Sequence, residues 1–275
     1  ELGPIVARNT ANKLFLATAT AWNSKLTAVP FAWFQRIDTY RLRQDGDYDR
    51  MLPQVVSLLQ ADDDHSLKEF ICQLLHKADI NIEDYALERK DMSGPEFLEQ
   101  LPSQLAEMLP PDIKQSRHVS VDFKFLHRVA DVDSQQGDHT YPLGLQDESD
   151  GTMNLFLMSP ILKQAFAEGR ILCIDEFDSS LHPLLVLYLI GLFHDPEVNR
   201  KNAQLIISSH TTELLSSRVM RRDQIYFVEK DRGTGASELY SLDEFIPGAS
   251  KDIRRAYLLG RYGAVPRIND GELPW

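Results

Sequence analysis

Short apolar runs that alternate with helical segments after residue 149 constrain the fold of this chain more than any other feature. Such runs, separated by helices, are typical of a parallel sheet, because parallel strands are joined by helices that cross over the faces of the sheet. We therefore predict an α/β fold with a parallel sheet flanked by helices. The predicted elements are helices at 152–167, 183–194 and 212–216, and strands at 171–174, 204–208 and 224–229.

The N-terminal part of the chain favours helices. Residues 9–34 contain good helix formers with apolar residues at mixed spacing, which predicts one or two helices with a break before Pro30. Ser66 and Glu69 have the spacing of a capping box, and apolar residues then repeat at helical spacing. We expect an amphipathic helix over residues 66–77.

The middle of the chain predicts a small β excursion. Residues 44–50 have the composition of a loop, and 91–115 are helical in composition but interrupted by prolines. Apolar and polar residues alternate over 119–125, which is the period of a half-buried strand. The polar stretch 130–139 is then a turn, and 140–145 is a returning strand.

These patterns divide the chain into three expected segments. Residues 1–65 form a helical segment, 66–148 a helix followed by antiparallel strands, and 149–275 the lobe with the parallel sheet. The N-terminus lacks an initiator Met, so we expect that the gene product begins earlier than this chain.

Composition limits the classes of function only mildly. The formal net charge of −12 argues against a strong, non-specific field for nucleic acid, although a local basic patch can still exist. The two cysteines are far apart and lack metal or redox spacing, which suits a reducing compartment, so we expect a cytoplasmic protein. The apolar run 184–193 is about half of the roughly 20 residues that span a bilayer, which predicts a buried helix and no membrane partner.

Two carboxylates follow the first predicted strand of the sheet. Asp175 and Glu176 come directly after residues 171–174, at the carboxyl end where parallel sheets collect functional groups. The aspartate can hold Mg²⁺, and the glutamate can orient or deprotonate a water that attacks a phosphoryl group. The alternative interpretation is two solvated carboxylates in a loop.

His210 follows the next strand of the series, within Ser209-His210-Thr211. Its imidazole can donate a hydrogen bond to a terminal phosphate, although a surface or capping histidine is the alternative.

Upstream, residues 147–152 run directly into a predicted helix, with Ser149 or Asp150 as its N-cap and Gly151 permitting close approach of a ligand. A simple capped helix is the alternative here.

The segments ESDGT, ILCIDEFDSSLHP and IISSHTTELL occur in this order. They resemble the signature, Walker B with D-loop, and switch-histidine segments of ABC-type ATPase heads. The chain is most similar to the SMC-like, AAA-named ATPases of bacterial abortive-infection and anti-phage systems, which include the RloA, AbiLi, PtuA and AriA types. VARNTANKLFLATATAWN near the start and RRDQIYFVEKD, ELYSLDEF and YLLGRYGAVP near the end extend the resemblance over most of the chain.

The resemblance implies an ABC-type ATPase head that uses ATP and Mg²⁺. It makes Asp175 the metal-associated residue, and Glu176 and His210 the catalytic residues. The implied nucleotide-contacting residues lie in the signature and the D-loop; they are Ser149, Asp150, Gly151, Thr152, Asp178 and Ser180. The signature would act on the nucleotide of an opposite subunit, with the D-loop of residues 178–183 crossing the interface. Ser-Asp-Gly-Thr departs from the Ser-Gly-Gly-Gln of transporters.

A phosphate-binding loop needs glycines and a Gly-Lys pair, and this sequence contains no Gly-Lys dipeptide. We expect that an N-terminal lobe bearing this loop and the Q-loop lies outside the chain. The 275-residue polypeptide alone is then predicted neither to bind ATP tightly nor to hydrolyse it.

The leading hypothesis is an ATPase subunit of an anti-phage defence system. It would form a homodimer or higher homo-oligomer and control a partner effector, a nuclease or a toxin. The alternatives are an SMC-type DNA-repair head, for which no sustained heptads are present, and a non-catalytic interaction scaffold. A Toprim-type nuclease is a weaker alternative, because neither Asp62-Asp63-Asp64 nor Asp131-Val-Asp133 follows a convincing buried strand.

Overall fold

The computed structural model describes residues 2–10, 13–42, 48–99, 103–129, 139–215, 219–245 and 252–266. The helices are α1 (Gly3–Arg8), α2 (Phe15–Ala21), α3 (Ala28–Phe34), α4 (Tyr48–Gln60), α5 (Ser66–Lys77), α6 (Gly94–Glu99), α7 (Ser103–Met108), α8 (Pro111–Gln115), α9 (Asp150–Glu168), α10 (Pro183–His194) and α11 (Ile253–Leu258). The strands are β1 (Ile37–Arg41), β2 (Ile82–Met92), β3 (His118–Val129), β4 (His139–Gly144), β5 (Ile171–Asp175), β6 (Gln204–Ile207), β7 (Tyr226–Lys230) and β8 (Ser237–Ser241).

The parallel sheet has the order β1-β5-β6. β5 is its central strand and pairs in parallel with both neighbours. The apolar sequence Ile-Leu-Cys-Ile suits this position, because a central parallel strand is covered on both faces. The predicted α/β class, with a parallel sheet flanked by helices, is therefore confirmed.

β1 was not predicted from the sequence, because Ile-Asp-Thr-Tyr-Arg is polar for a sheet strand. An ion pair helps to hold it in place. Arg170, just before β5, pairs with Asp38 of β1 through Nε at 2.5 Å and Nη2 at 2.8 Å. This pairing with Asp38 raises the pKa of the Arg170 guanidinium. A two-point arginine–carboxylate contact constrains the relative orientation of the two side chains in addition to pairing their charges. It therefore helps to hold β1 in register with β5.

A separate antiparallel sheet has the order β2-β3-β4 and covers α9. The returning strand of the predicted hairpin is present as β4, whereas the predicted turn at 130–139 lies outside the described residues apart from His139. The side chains of Phe123 and Phe125 on β3 are buried, as their alternation predicted. The sequence analysis missed β2, because its charged residues obscure the alternation.

Aromatic packing joins this antiparallel sheet to α9. The ring of Phe156 on α9 lies edge-on to three rings, with centroid distances of 5.1 Å to Tyr85, 5.3 Å to Phe123 and 4.8 Å to Phe125. Burial raises the pKa of Tyr85. Edge-to-face packing is the favourable arrangement for such rings, so α9 and this sheet share one hydrophobic core.

The start of α5 corrects the predicted capping box. The helix spans Ser66–Lys77 as expected, but Ser66 is its first residue and not its cap. The Asp62 carboxylate accepts the backbone N–H groups of Leu67 and Lys68, both at 2.8 Å, and Asp64 accepts that of Ser66 at 3.1 Å. A carboxylate reaches these free N–H groups from the preceding turn and also complements the helix dipole.

The N-terminal helices α2 and α3 are separated by a break before Pro30, as predicted, and Pro30 itself lies within the first turn of α3. Proline is tolerated there because the first N–H groups of a helix have no partner within it. α4 begins inside the predicted loop, and its apolar residues Met51 and Val55 are buried one turn apart.

The C-terminal strands also differ from expectation. β7 does not extend the parallel sheet but forms an antiparallel pair with β8. Phe227 on β7 packs against Tyr257 and Tyr262 in a second small core.

In the parts of the chain that the structure describes, no helix has the length and apolar character needed to cross a membrane.

Candidate functional site

The Asp175-Glu176 pair lies at the carboxyl end of the central strand, where β5 meets the end of β6. Ser208, which follows β6, bridges the two strand ends: its hydroxyl donates to Oδ1 of Asp175 and accepts the backbone N–H of Glu176 at 2.8 Å. The sequence analysis did not assign Ser208 a role, although it is the last residue of the predicted strand. Its hydroxyl orients the carboxylate that was predicted to hold metal.

Glu176 has a left-handed backbone conformation, with φ of 55°. Non-glycine residues rarely adopt this region, and when they do the surrounding structure must hold them there. Phe177 provides that anchor, because its side chain is fully buried and its N–H donates to the Ser208 carbonyl at 3.1 Å. The contacts of Phe177 therefore hold Glu176 in this turn directly after β5.

Asp178 fastens the switch-histidine segment to the same turn. Its carboxylate accepts the backbone N–H of His210 at 3.1 Å and the hydroxyl of Thr211 at 2.7 Å. The His210 side chain is exposed at the end of β6. The structure thus brings together two segments that lie more than thirty residues apart, as the parallel-sheet prediction required.

The signature segment begins α9 and packs against the D-loop of its own chain. Ser149 is the N-cap, and its hydroxyl accepts the N–H of Thr152 at 3.1 Å. The amide of Asn154 donates to the Ser179 carbonyl at 3.0 Å. Residues 149–154 and 179–180 therefore form one packed unit, although the described contacts do not join Ser149 directly to Asp175.

Gly151 is required by this packing. A Cβ at this position would lie 2.6 Å from the carbonyl oxygen of Ser180. Such a contact cannot exist without a shift of the backbone, so the sequence needs glycine here for close approach.

We expect Gly151→Ala and Gly191→Ala to change stability in opposite directions. The first introduces the clash and should lower the free energy of unfolding by about 1–3 kcal/mol. The second lies in α10 with open space around its Cβ and should raise it by about 0.5–1 kcal/mol. Urea denaturation of both variants measures the change in the free energy of unfolding. Equal effects would show that residues 151 and 180 do not pack closely.

A buried contact between a histidine and a carboxylate supports the start of α9 from the antiparallel sheet. Nε2 of His127 on β3 lies 2.5 Å from Oε1 of Glu148, which directly precedes Ser149. Only 12% of the His127 side chain and 5% of the Glu148 side chain are exposed, and Tyr141 stacks on the imidazole at 5.5 Å. The pair therefore positions the start of α9, and the sequence contained no pattern from which it could be found.

Arg41, the last residue of β1, also reaches the carboxylate pair. Its Nε lies 3.4 Å from Oδ2 of Asp175, and Nη2 lies 4.0 Å from Oε1 of Glu176. The sequence analysis missed Arg41 because it did not predict β1.

The residues present suit a magnesium ion held together with a ligand. Within the described parts of the chain, no three His, Cys, Asp or Glu side chains cluster closely enough to form a metal site by themselves. Mg²⁺, however, is commonly bound by one or two carboxylates while water and substrate phosphates complete its coordination. Asp175 and Glu176 are compatible with that mode of binding, since both carboxylates lie at the open end of the sheet.

The parallel three-stranded sheet flanked by helices is the fold of an AAA-type ATPase, and the acidic pair and His210 follow neighbouring strands of that sheet. A family model described as "AAA domain, putative AbiEii toxin, Type IV TA system" matches residues 15–216. The match covers well over half of the chain, which therefore belongs to this family. No curated protein matches the chain.

Proposed function

We propose that this chain is the catalytic part of an ABC-type ATPase head that hydrolyses ATP in an anti-phage defence system. One observation carries the proposal: Ser208 joins the Asp175-Glu176 pair to the end of the strand that leads into His210. Two carboxylates and the segment that contains His210 thus lie at the carboxyl ends of neighbouring parallel strands, the edge at which such sheets bind ligands.

The proposed chemistry is in-line attack of water on the terminal phosphate of ATP. Glu176 accepts a proton from the water or orients it, since its carboxylate lies next to that of Asp175 at the end of β5. His210 donates a hydrogen bond to the terminal phosphate. Asp175 would hold Mg²⁺, which supplies positive charge for the phosphate oxygens when bound.

The proposal includes a composite site between two subunits. Ser149, Asp150, Gly151 and Thr152 would contact the nucleotide of the opposite subunit, and Asp178 and Ser180 would lie at the interface. In a symmetric dimer each signature then completes the partner's site, which gives two equivalent sites. The half-buried residues Asp150 and Gly151 begin α9, and the N–H groups at the start of a helix favour anions, which supports the arrangement.

A defence role and a partner effector complete the proposal. The family description names a toxin of a type IV toxin–antitoxin system, which supports control of a toxic activity. We place the protein in the cytoplasm and assign cleavage of any nucleic acid to the partner effector.

ATP hydrolysis and molar mass test the proposal together. For the protein as its gene encodes it, we expect Mg²⁺-dependent ATP turnover and a mass by light scattering that doubles when ATP is added. The 275-residue chain is the matched control, because its sequence contains no Gly-Lys loop and it should show neither effect. Absence of both effects in the encoded protein would leave the interaction scaffold as the better hypothesis.

A further inference from the structure

Before any ligand binds, the proposed site contains several carboxylates close together. Asp175, Glu176 and Asp178 lie within four consecutive residues, and the whole chain carries a net charge of −12. Neighbouring carboxylates repel each other, and the repulsion must be relieved by a cation or by protonation. Within the described residues, Arg41 forms ion pairs with both members of the Asp175-Glu176 pair.

The backbone on both sides of Arg41 fixes its position. Arg41 lies opposite Asp175 in the register of β1 and β5. The next residue, Leu42, is buried, and its N–H donates to the Asp175 carbonyl at 3.2 Å. The sheet therefore fixes the backbone of Arg41 beside that of Asp175, within reach of the carboxylates.

The contact between Arg41 and the two carboxylates is weak enough for another cation to displace the guanidinium. Its distances of 3.4 Å and 4.0 Å are longer than those of a tight two-point pair, and 45% of the Arg41 side chain is exposed. Exposed pairs of this kind contribute little to stability, so a competing cation can replace one. By contrast, the tight pair of Arg170 and Asp38 in the same sheet is mostly buried.

Solutes can reach the contact along β1. A groove of about 530 Å³ is lined by the β1 residues together with Met51, Gln54 and Asp175. Arg41 and Asp175 both line it, so a metal ion that enters the groove can reach the guanidinium and the Asp175 carboxylate.

We propose that Arg41 is the resident counter-ion of the Asp175-Glu176 pair and is exchanged for the divalent metal ion. The inference rests on the proposed function, because it takes the metal to bind at these carboxylates. Arg41 stabilises the carboxylate pair when the metal is absent. It also lowers the affinity of the site for the metal ion, because both compete for the same oxygens. The site is thereby kept from binding a free metal ion strongly.

Manganese binding to the 275-residue chain tests the exchange without any ATP turnover. Free Mn²⁺ is measured by electron paramagnetic resonance at low ionic strength. Arg41→Gln should bind Mn²⁺ about thirtyfold more tightly, the factor expected from removing one unit charge about 4 Å from a doubly charged ion at high dielectric constant. Arg41→Lys keeps the charge and should remain close to the unsubstituted chain.

Two further variants make the result decisive. Arg200→Gln removes the same charge from an exposed pair with Glu197 and should leave Mn²⁺ affinity unchanged. Asp175→Asn should abolish the binding. If Asp175→Asn binds Mn²⁺ normally, the metal assignment of the proposed function is wrong. If Asp175→Asn loses binding while Arg41→Gln binds no more tightly than the unsubstituted chain, the exchange is refuted and Arg41 is only a surface ion pair.

Discussion

Glu176→Gln is expected to lower ATP turnover by about 10²–10⁴-fold in the protein as its gene encodes it, the usual contribution of a general base. The amide keeps the size and the left-handed turn of Glu176 but cannot accept a proton from water. ATP should therefore still bind while hydrolysis stops, so the ATP-dependent dimer accumulates. Steady-state turnover and light scattering with ATP measure both effects.

Glu197→Gln is the matched control for this experiment. Glu197 is an exposed glutamate that pairs only with Arg200 three residues on in the contacts that the structure records, so its loss should leave turnover unchanged. Turnover that survives in Glu176→Gln would remove this carboxylate from the mechanism. A molar mass that is the same with and without ATP would then favour the scaffold hypothesis.

Phe156→Ala is expected to lower the free energy of unfolding by about 3–5 kcal/mol. The Phe156 side chain is fully buried and contacts three aromatic rings of the antiparallel sheet. Truncation leaves a cavity between that sheet and α9, and the rings on a sheet cannot collapse far into it. Denaturation in urea, followed by circular dichroism, measures the loss.

Phe34→Ala provides the comparison for the same residue type. The side chain of Phe34 is 55% exposed and packs edge-on against Trp33. Its truncation should cost less than about 1 kcal/mol, since little apolar area leaves the interior. A similar loss in both variants would contradict a shared core between α9 and the antiparallel sheet.

The candidate site was predictable to the extent that its residues follow strong local patterns. Residues 171–174 are apolar and end in two carboxylates, so both the strand and its functional end could be predicted from a few neighbours. The strand that leads to His210 is likewise a short apolar run followed by polar residues. Their proximity followed from the rule that parallel strands place their carboxyl ends on one edge.

Residues that act through distant contacts could not be predicted in this way. Arg41 belongs to a polar strand whose place depends on the pairing of Asp38 with Arg170. His127 meets Glu148 only because β3 crosses the start of α9. Neither residue has a local pattern, since its partner lies far away in the chain.

The sequence by itself determined the parallel sheet, the helices that flank it and the acidic pair at its edge. These features depend on the spacing of apolar residues, which acts over a few residues. The tertiary structure alone decided that β1 borders β5, that β7 leaves the sheet to pair with β8, and that Arg41 faces the carboxylates. Those outcomes depend on hydrogen bonds, ion pairs and packing between segments that are distant in the chain. Such contacts form only when the chain is folded, so no local pattern in the sequence reports them.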